Sequence, residues 1–279
     1  MKNLIPYTGD CFGIHKNAVD RKNRGDIKTR LLQLNPIIEI EFKKFDIKFR
    51  DNKLFSLIPN SVLAQAKDDL LTLYDYQSLV ISMLRDNIRK LQVNTIISTC
   101  QNCTIDSVNT LDHILPKTKY PEFVVNPKNL FPCCSTCNSY KLDSMGNGAS
   151  NKFLNLYLDP LPKEQYLFVD IFLDANKEMD FNFYLKNVNN RIDSNLFSTI
   201  ENHYRNLHLF NRMKFKSTEY ISELENEIRS FLKYLKVKEI TDILIAAMND
   251  DKAAYGENHW KCIFELAFIQ SPIFMDRFK

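Results

Sequence analysis

Residues 100–141 read CQNCTIDSVNTLDHILPKTKYPEFVVNPKNLFPCCSTCNSYK, and the fold of the whole chain is read outward from them. Cys100 and Cys103 make one C-x-x-C, and Cys134 and Cys137 make a second. Two such pairs separated by a few tens of residues are the sequence form of a tetrahedral zinc site. Four thiolates leave no open coordination position, so the metal would be structural, fixing a module too small to fold on its own core. Cys133 stands four positions before Cys137, a poorer knuckle than Cys134-Ser-Thr-Cys137. It reads as a small core thiol, as do Cys11 and Cys262. A thioredoxin-like redox role would need only one C-x-x-C, and the second pair argues against it.

A zinc knot requires nothing polar between its pairs, yet Asp112-His113 and Asn129 lie there and Asn138 follows the last cysteine. Alone, each has an ordinary explanation: a satisfied structural histidine, turn asparagines, a helix cap. Together they fit a hydrolytic site for phosphodiesters, which needs a nucleophile made from water and a Lewis acid on the phosphate. An imidazole is suited to take a proton from water, which assigns that task to His113. Asp112 and the side-chain oxygen of Asn138 are the hard oxygen ligands that Mg²⁺ or Mn²⁺ prefers. Adjacent residues on a regular strand point to opposite faces. Asp112 and His113 therefore flank one phosphate only where a strand ends, and Pro116 agrees with an ending there.

The order C-x-x-C, LDHILP, NPKNL, CSTCNSYK resembles the HNH endonuclease superfamily in its zinc-bearing branch. The resemblance covers about forty residues. It implies an α+β fold with a ββα-metal core. His113 would be the general base at the end of the first strand, Asn129 the middle asparagine steadying the loop, and Asn138 a metal ligand on the helix. Asp112 matches the acidic ligand before the base, and Lys141 a lysine that meets a phosphate; Lys117 and Lys119 are further candidate nucleic-acid contacts. Asparagine in place of histidine at 138 leaves the metal preference open between Mg²⁺ and Mn²⁺. The loop KTKYPEFVV lacks the glycine often found there. The resemblance implies metal-dependent DNA hydrolysis with one catalytic cation, hence one strand per event, so a double-strand cut needs a dimer or two binding events. Standalone relatives of this size are often effectors of prokaryotic anti-phage defence, some paired with an infection-sensing ATPase as in Septu-type systems. A regulatory ATPase, and a homo-oligomer or hetero-complex, are the partners that this implies. A non-catalytic zinc-binding nucleic-acid or assembly module is the alternative, and RNA stays open beside DNA.

The rest of the 279 residues sets bounds. A hydrophobic share of 44% and a charged share of 25% are those of an ordinary globular protein. Twenty Phe and twelve Tyr against six Gly imply packed elements rather than flexible linkers. No apolar run is long enough for a membrane span, and the opening MKNLIPYTGD lacks a secretory h-region. The expectation is a cytoplasmic protein whose seven cysteines stay reduced. The net charge of +3 permits nucleic-acid binding without demanding it. Ten basic against five acidic residues in 16–50 make a segment suited to a phosphate backbone, although a solvated helix face explains it equally well.

Pattern divides the chain into a mixed N-terminal region (1–95) for DNA or partner binding, the cysteine-bracketed core (96–158), and a hairpin followed by helices (159–279). The alternation IIEIEFKKFDIKF at 37–49 reads as a half-buried strand or strand pair. Helices are expected over 61–74, capped by Ser61, and over 77–91. A hairpin is expected from 165–173 and 179–185, joined by DANKE. A helix over 214–235 carries the stripe Ile221, Leu224, Ile228, Phe231 and Leu235. That stripe reads as facing its own core, with a short coiled coil as the other reading. The last helix, 259–269, looks buried, and Trp260 reads as a packing residue.

Overall fold

A computed structural model describes residues 1–94, 96–143 and 153–279. The expected regions 1–95 and 96–158 are thus described apart from Thr95 and residues 144–152. Two compact units emerge: residues 3–102 with 106–160, and residues 161–279 with 1–2 and 103–105. The change of sequence pattern at 95–96 falls inside the first unit. The architecture is mixed α+β, with two two-stranded sheets and many helices among the described residues.

In the first unit, α1 (Cys11–Asp20) leads into α2 (Asp26–Arg50). This long helix overturns the strand expected at 37–49. The apolar residues it buries are Leu31, Ile38, Phe42, Phe45 and Phe49, spaced by sevens, fours and threes, which is a helical stripe. The alternation came from Ile40 and Ile47, apolar side chains left about half exposed at 54% and 51%. Phe42 and Phe45 close the packing by meeting Phe123, with ring centroids 5.7 and 4.8 Å away.

The helix expected over 61–74 is instead two short pieces, α3 (Ser61–Gln65) and α4 (Lys67–Leu71), interrupted at Ala66, where ψ opens to 15°. The cap is Asn60 rather than Ser61: its Oδ1 accepts from the Val62 and Leu63 amides at 3.0 and 3.3 Å. Helix α5 (Leu79–Lys90) follows with Ser78 as N-cap and buries Val80, Ile81, Leu84 and Ile88. Next come β1 (Thr110–His113), β2 (Leu130–Cys133) and α6 (Ser135–Lys141). The strands pair antiparallel, His113 opposite Leu130 and Thr110 opposite Cys133, and α6 packs against β1.

The second unit holds the expected hairpin, β3 (Leu167–Leu173) paired with β4 (Met179–Leu185) in continuous register. Asp174 forms its turn, Oδ1 accepting from the Asn176 and Glu178 amides at 2.8 Å each. Helix α7 (Ser194–Asn206) is capped by Asp193. Helix α8 (Leu209–Phe231) starts five residues earlier than expected and ends before Leu235. Its buried line is Leu209, Met213, Ser217, Leu224 and Ile228, and it packs on β4 within its own unit. Helices α9 (Val237–Tyr255), α10 (Trp260–Gln270) and α11 (Pro272–Met275) finish the chain. Trp260 is buried as a packing residue, and its Nε1 donates to the Thr104 carbonyl at 2.9 Å. Among the described residues no helix is long and apolar enough to cross a membrane.

Candidate metal centre and active site

The first cysteine pair sits in a tight turn closed by the bridge between Thr99 and Ser107. The Cys100 amide donates to the Asp106 carbonyl at 2.9 Å, and Thr104, just past Cys103, takes a left-handed φ of 57°. The Ile105 amide donates to the Cys103 sulfur at 3.4 Å. At the second pair Cys134 is the N-cap of α6, its sulfur accepting from the Cys137 amide at 3.4 Å. Amides aimed at sulfur favour the thiolate, the form that binds metal. The four Sγ atoms are buried and lie within 4.8 Å of one another. Sulfurs on a zinc tetrahedron with bonds of about 2.3 Å stand about 3.8 Å apart, so a small contraction completes the site. The arrangement can hold a metal ion, and an all-thiolate set suits zinc.

Cys133 ends β2 outside this group. Burial pushes the Cys11 thiol up to about 11 and the Cys262 thiol up to about 12, which keeps both unreactive.

Asp112 and His113 are the last two residues of β1, directly against α6. The Asp112 carboxylate is buried and meets the Lys141 ammonium at 2.7 Å. The same ammonium donates to the His113 carbonyl at 2.5 Å. Burial raises the Asp112 carboxyl above its usual range, and the Lys141 charge works against that rise. Asn138 is half-buried on α6, three residues before Lys141 and therefore on the same helix face. The structure thus joins Asp112, the His113 carbonyl and Lys141 at one end of the hairpin, with Asn138 one turn before Lys141 on α6.

His113 is held firmly. Its Nε2–H donates to the Val124 carbonyl at 2.9 Å, which leaves Nδ1 as the unprotonated nitrogen of the neutral ring. The edge of Tyr74 packs on it, with centroids 4.7 Å apart, and the Tyr74 hydroxyl donates to the Leu111 carbonyl at 3.3 Å. Burial, helped by the charges of Lys117 and Lys141, pushes the imidazole down to about 3. The ring is therefore neutral at neutral pH, the form from which a general base starts. An anion arriving beside it would raise its basicity toward the operating pH.

Asn129 is fully buried and closes the loop between the strands. Its Oδ1 accepts from the Leu115 amide at 2.7 Å, and its Nδ2 donates to the Leu115 and Phe123 carbonyls at 3.1 and 3.2 Å. That clamp fixes the segment carrying the Val124 carbonyl, and so fixes His113. Lys117 and Lys119 are exposed on this loop, their ammonium groups over the rings of Tyr74 (5.4 Å) and Tyr120 (5.6 Å). Tyr74 and Val124 were not singled out from sequence. A tyrosine in LYDYQ carries no spacing signal, and a backbone carbonyl carries none at all.

No family model and no solved structure matches the chain. Over 148 residues it is 24% identical to Protein ea31 of Escherichia phage lambda, covering 50% of this chain and 49% of that protein. The chain therefore spans about half the length of this relative.

Proposed function

We propose that the chain is a metal-dependent endonuclease of HNH type that hydrolyses DNA phosphodiesters. The observation that carries this is the neutral His113 ring, its Nε2 tied to Val124 and its Nδ1 unprotonated, at the strand end next to Asp112, with its backbone carbonyl held by Lys141 of helix α6. Nδ1 takes the proton of the attacking water. Asn129 holds the loop so that the ring keeps one tautomer and one orientation. Asp112 and Asn138 are the residues that would hold a Mg²⁺ or Mn²⁺ ion, which when bound supplies Lewis acidity on the phosphate. The Lys141 ammonium stands where Asp112 calls for positive charge, so it must swing toward the phosphate as the cation enters. Lys117 and Lys119 extend the positive rim along a strand. The four cysteines hold a structural Zn²⁺ that anchors both ends of this segment.

The biological setting that the HNH resemblance supports is a cytoplasmic effector of prokaryotic anti-phage defence, whose weak activity alone is raised by a regulatory ATPase. A second reading has its own support. The Asp112–Lys141 pair is already neutralised, as in a non-catalytic zinc-binding nucleic-acid or assembly module. Incubating the zinc-loaded chain with supercoiled plasmid and Mg²⁺ or Mn²⁺, beside an EDTA control, separates the two. Nicked or linear product only with the divalent ion supports the nuclease. Plasmid binding without product in either ion favours the module.

A further inference from the structure

A cavity of about 320 Å³ opens beside the start of β1, between helix α5 and the β1–β2 hairpin, all within the first unit. Its floor is apolar, with Ile96, Leu111 and Pro132, and its rim carries Arg85, Arg89 and Tyr76. The Arg85 guanidinium stacks on the Tyr76 ring, 4.0 Å from its centroid. The ring is itself held, since its hydroxyl donates to the Asn109 carbonyl at 2.7 Å. Among the described residues neither guanidinium is ion-paired. Arg85 has only the Ser82 hydroxyl, at 3.4 Å, and Asp86 lies one turn from Arg89 without pairing with it.

We infer that this cavity binds a phosphate-bearing nucleotide. Two unpaired guanidiniums at one rim are the donors that recognise a phosphate in bidentate fashion. The apolar floor and the fixed aromatic ring suit the faces of a base. Asp86 supplies an acceptor for a ribose hydroxyl or an exocyclic amine. The volume lies at the small end of ligand pockets, the size of one nucleotide rather than of a larger cofactor. The nucleotide is either free or one unit of a nucleic-acid strand. From Leu111 on the cavity floor to His113 the chain runs two strand residues, about 7 Å. A strand engaged at one place therefore reaches the other. The inference does not depend on hydrolysis at His113.

The test is a calorimetric titration of the full zinc-loaded chain without added Mg²⁺. The probes are the four nucleoside monophosphates, a 5′-phosphorylated tetranucleotide and inorganic phosphate. The same titrations are made on Arg85→Gln/Arg89→Gln, both positions outside the buried stripe of α5, with melting checked against the parent. The expected result is saturable binding of a monophosphate or of the tetranucleotide, about tenfold or more tighter than inorganic phosphate and weakened at least about tenfold in the double variant. Binding of a monophosphate as tight as that of the tetranucleotide identifies a free nucleotide as the ligand. Binding of the tetranucleotide alone identifies a strand. No saturable binding, equal binding by the double variant, or inorganic phosphate matching the nucleotides would overturn the inference.

Discussion

At the scale of single residues, the contact between Asp112 and Lys141 governs what the site is. Asp112 is 5% exposed, so removing its partner leaves a buried, uncompensated carboxylate. Lys141→Ala is expected to cost about 3–5 kcal/mol in a urea titration, whereas Asp112→Asn/Lys141→Met stays much closer to the parent. If Asp112 is a cation ligand, Mg²⁺ restores part of the loss in Lys141→Ala and none in the double variant; equal behaviour in Mg²⁺ argues for a purely structural pair. His15 gives a second test in the same unit. It is fully buried, its Nε2 is 3.1 Å from Asn35 Oδ1, and burial pushes its pKa down to about 4 from the ordinary 6.5. The unfolded chain therefore binds this proton more readily than the folded one. The contribution of His15 is complete above pH 6.5 and is lost as pH falls toward 4. His15→Leu should shrink the stability difference between pH 7 and pH 4.5 by about 2–3 kcal/mol. An unchanged difference would show that the ring is not buried neutral.

At the scale of elements, legibility followed how local each signal is. The hairpin β3–β4 could be read because alternation and a turn-forming Asp174 lie in one short stretch. The placement of Asp112 and His113 at a strand end and of Asn138 on the following helix could be read because each lies within a few residues of a local signal, Pro116 for the strand end and the second cysteine pair for the helix. What joins them could not: Lys141 reads as a phosphate contact, and only the packing of α6 on β1 brings it to Asp112. The sequence of helix α2 misleads because its surplus apolar residues satisfy two periods at once, and burial alone chooses between them. A strand puts Ile40 and Phe42 on one face, a helix does not. Phe42 is 3% exposed and meets Phe12, His15 and Phe123. Phe42→Ala is accordingly expected to cost about 3–5 kcal/mol and Ile40→Ala within about 0.5, measured by denaturant midpoints. Equal costs would restore the strand.

At the scale of the whole molecule, residues 3–102 and 106–160 hold the proposed catalytic residues, while 161–279 with its covered α8 stripe forms a core of its own. Little of that second unit's purpose was legible in sequence, because its residues satisfy packing and leave no cluster of reactive groups to read. A likeness to a phage protein at 24% identity over half of each chain adds no activity. The central claim therefore rests on one nitrogen, His113 Nδ1, and is tested by single-turnover cleavage of a labelled DNA duplex in Mg²⁺. The parent is compared with His113→Ala at matched zinc content and matched duplex affinity. The account expects cleavage by the parent and a loss of about 10²–10⁴-fold in the variant with binding kept. Cleavage at the parental rate by His113→Ala would contradict it.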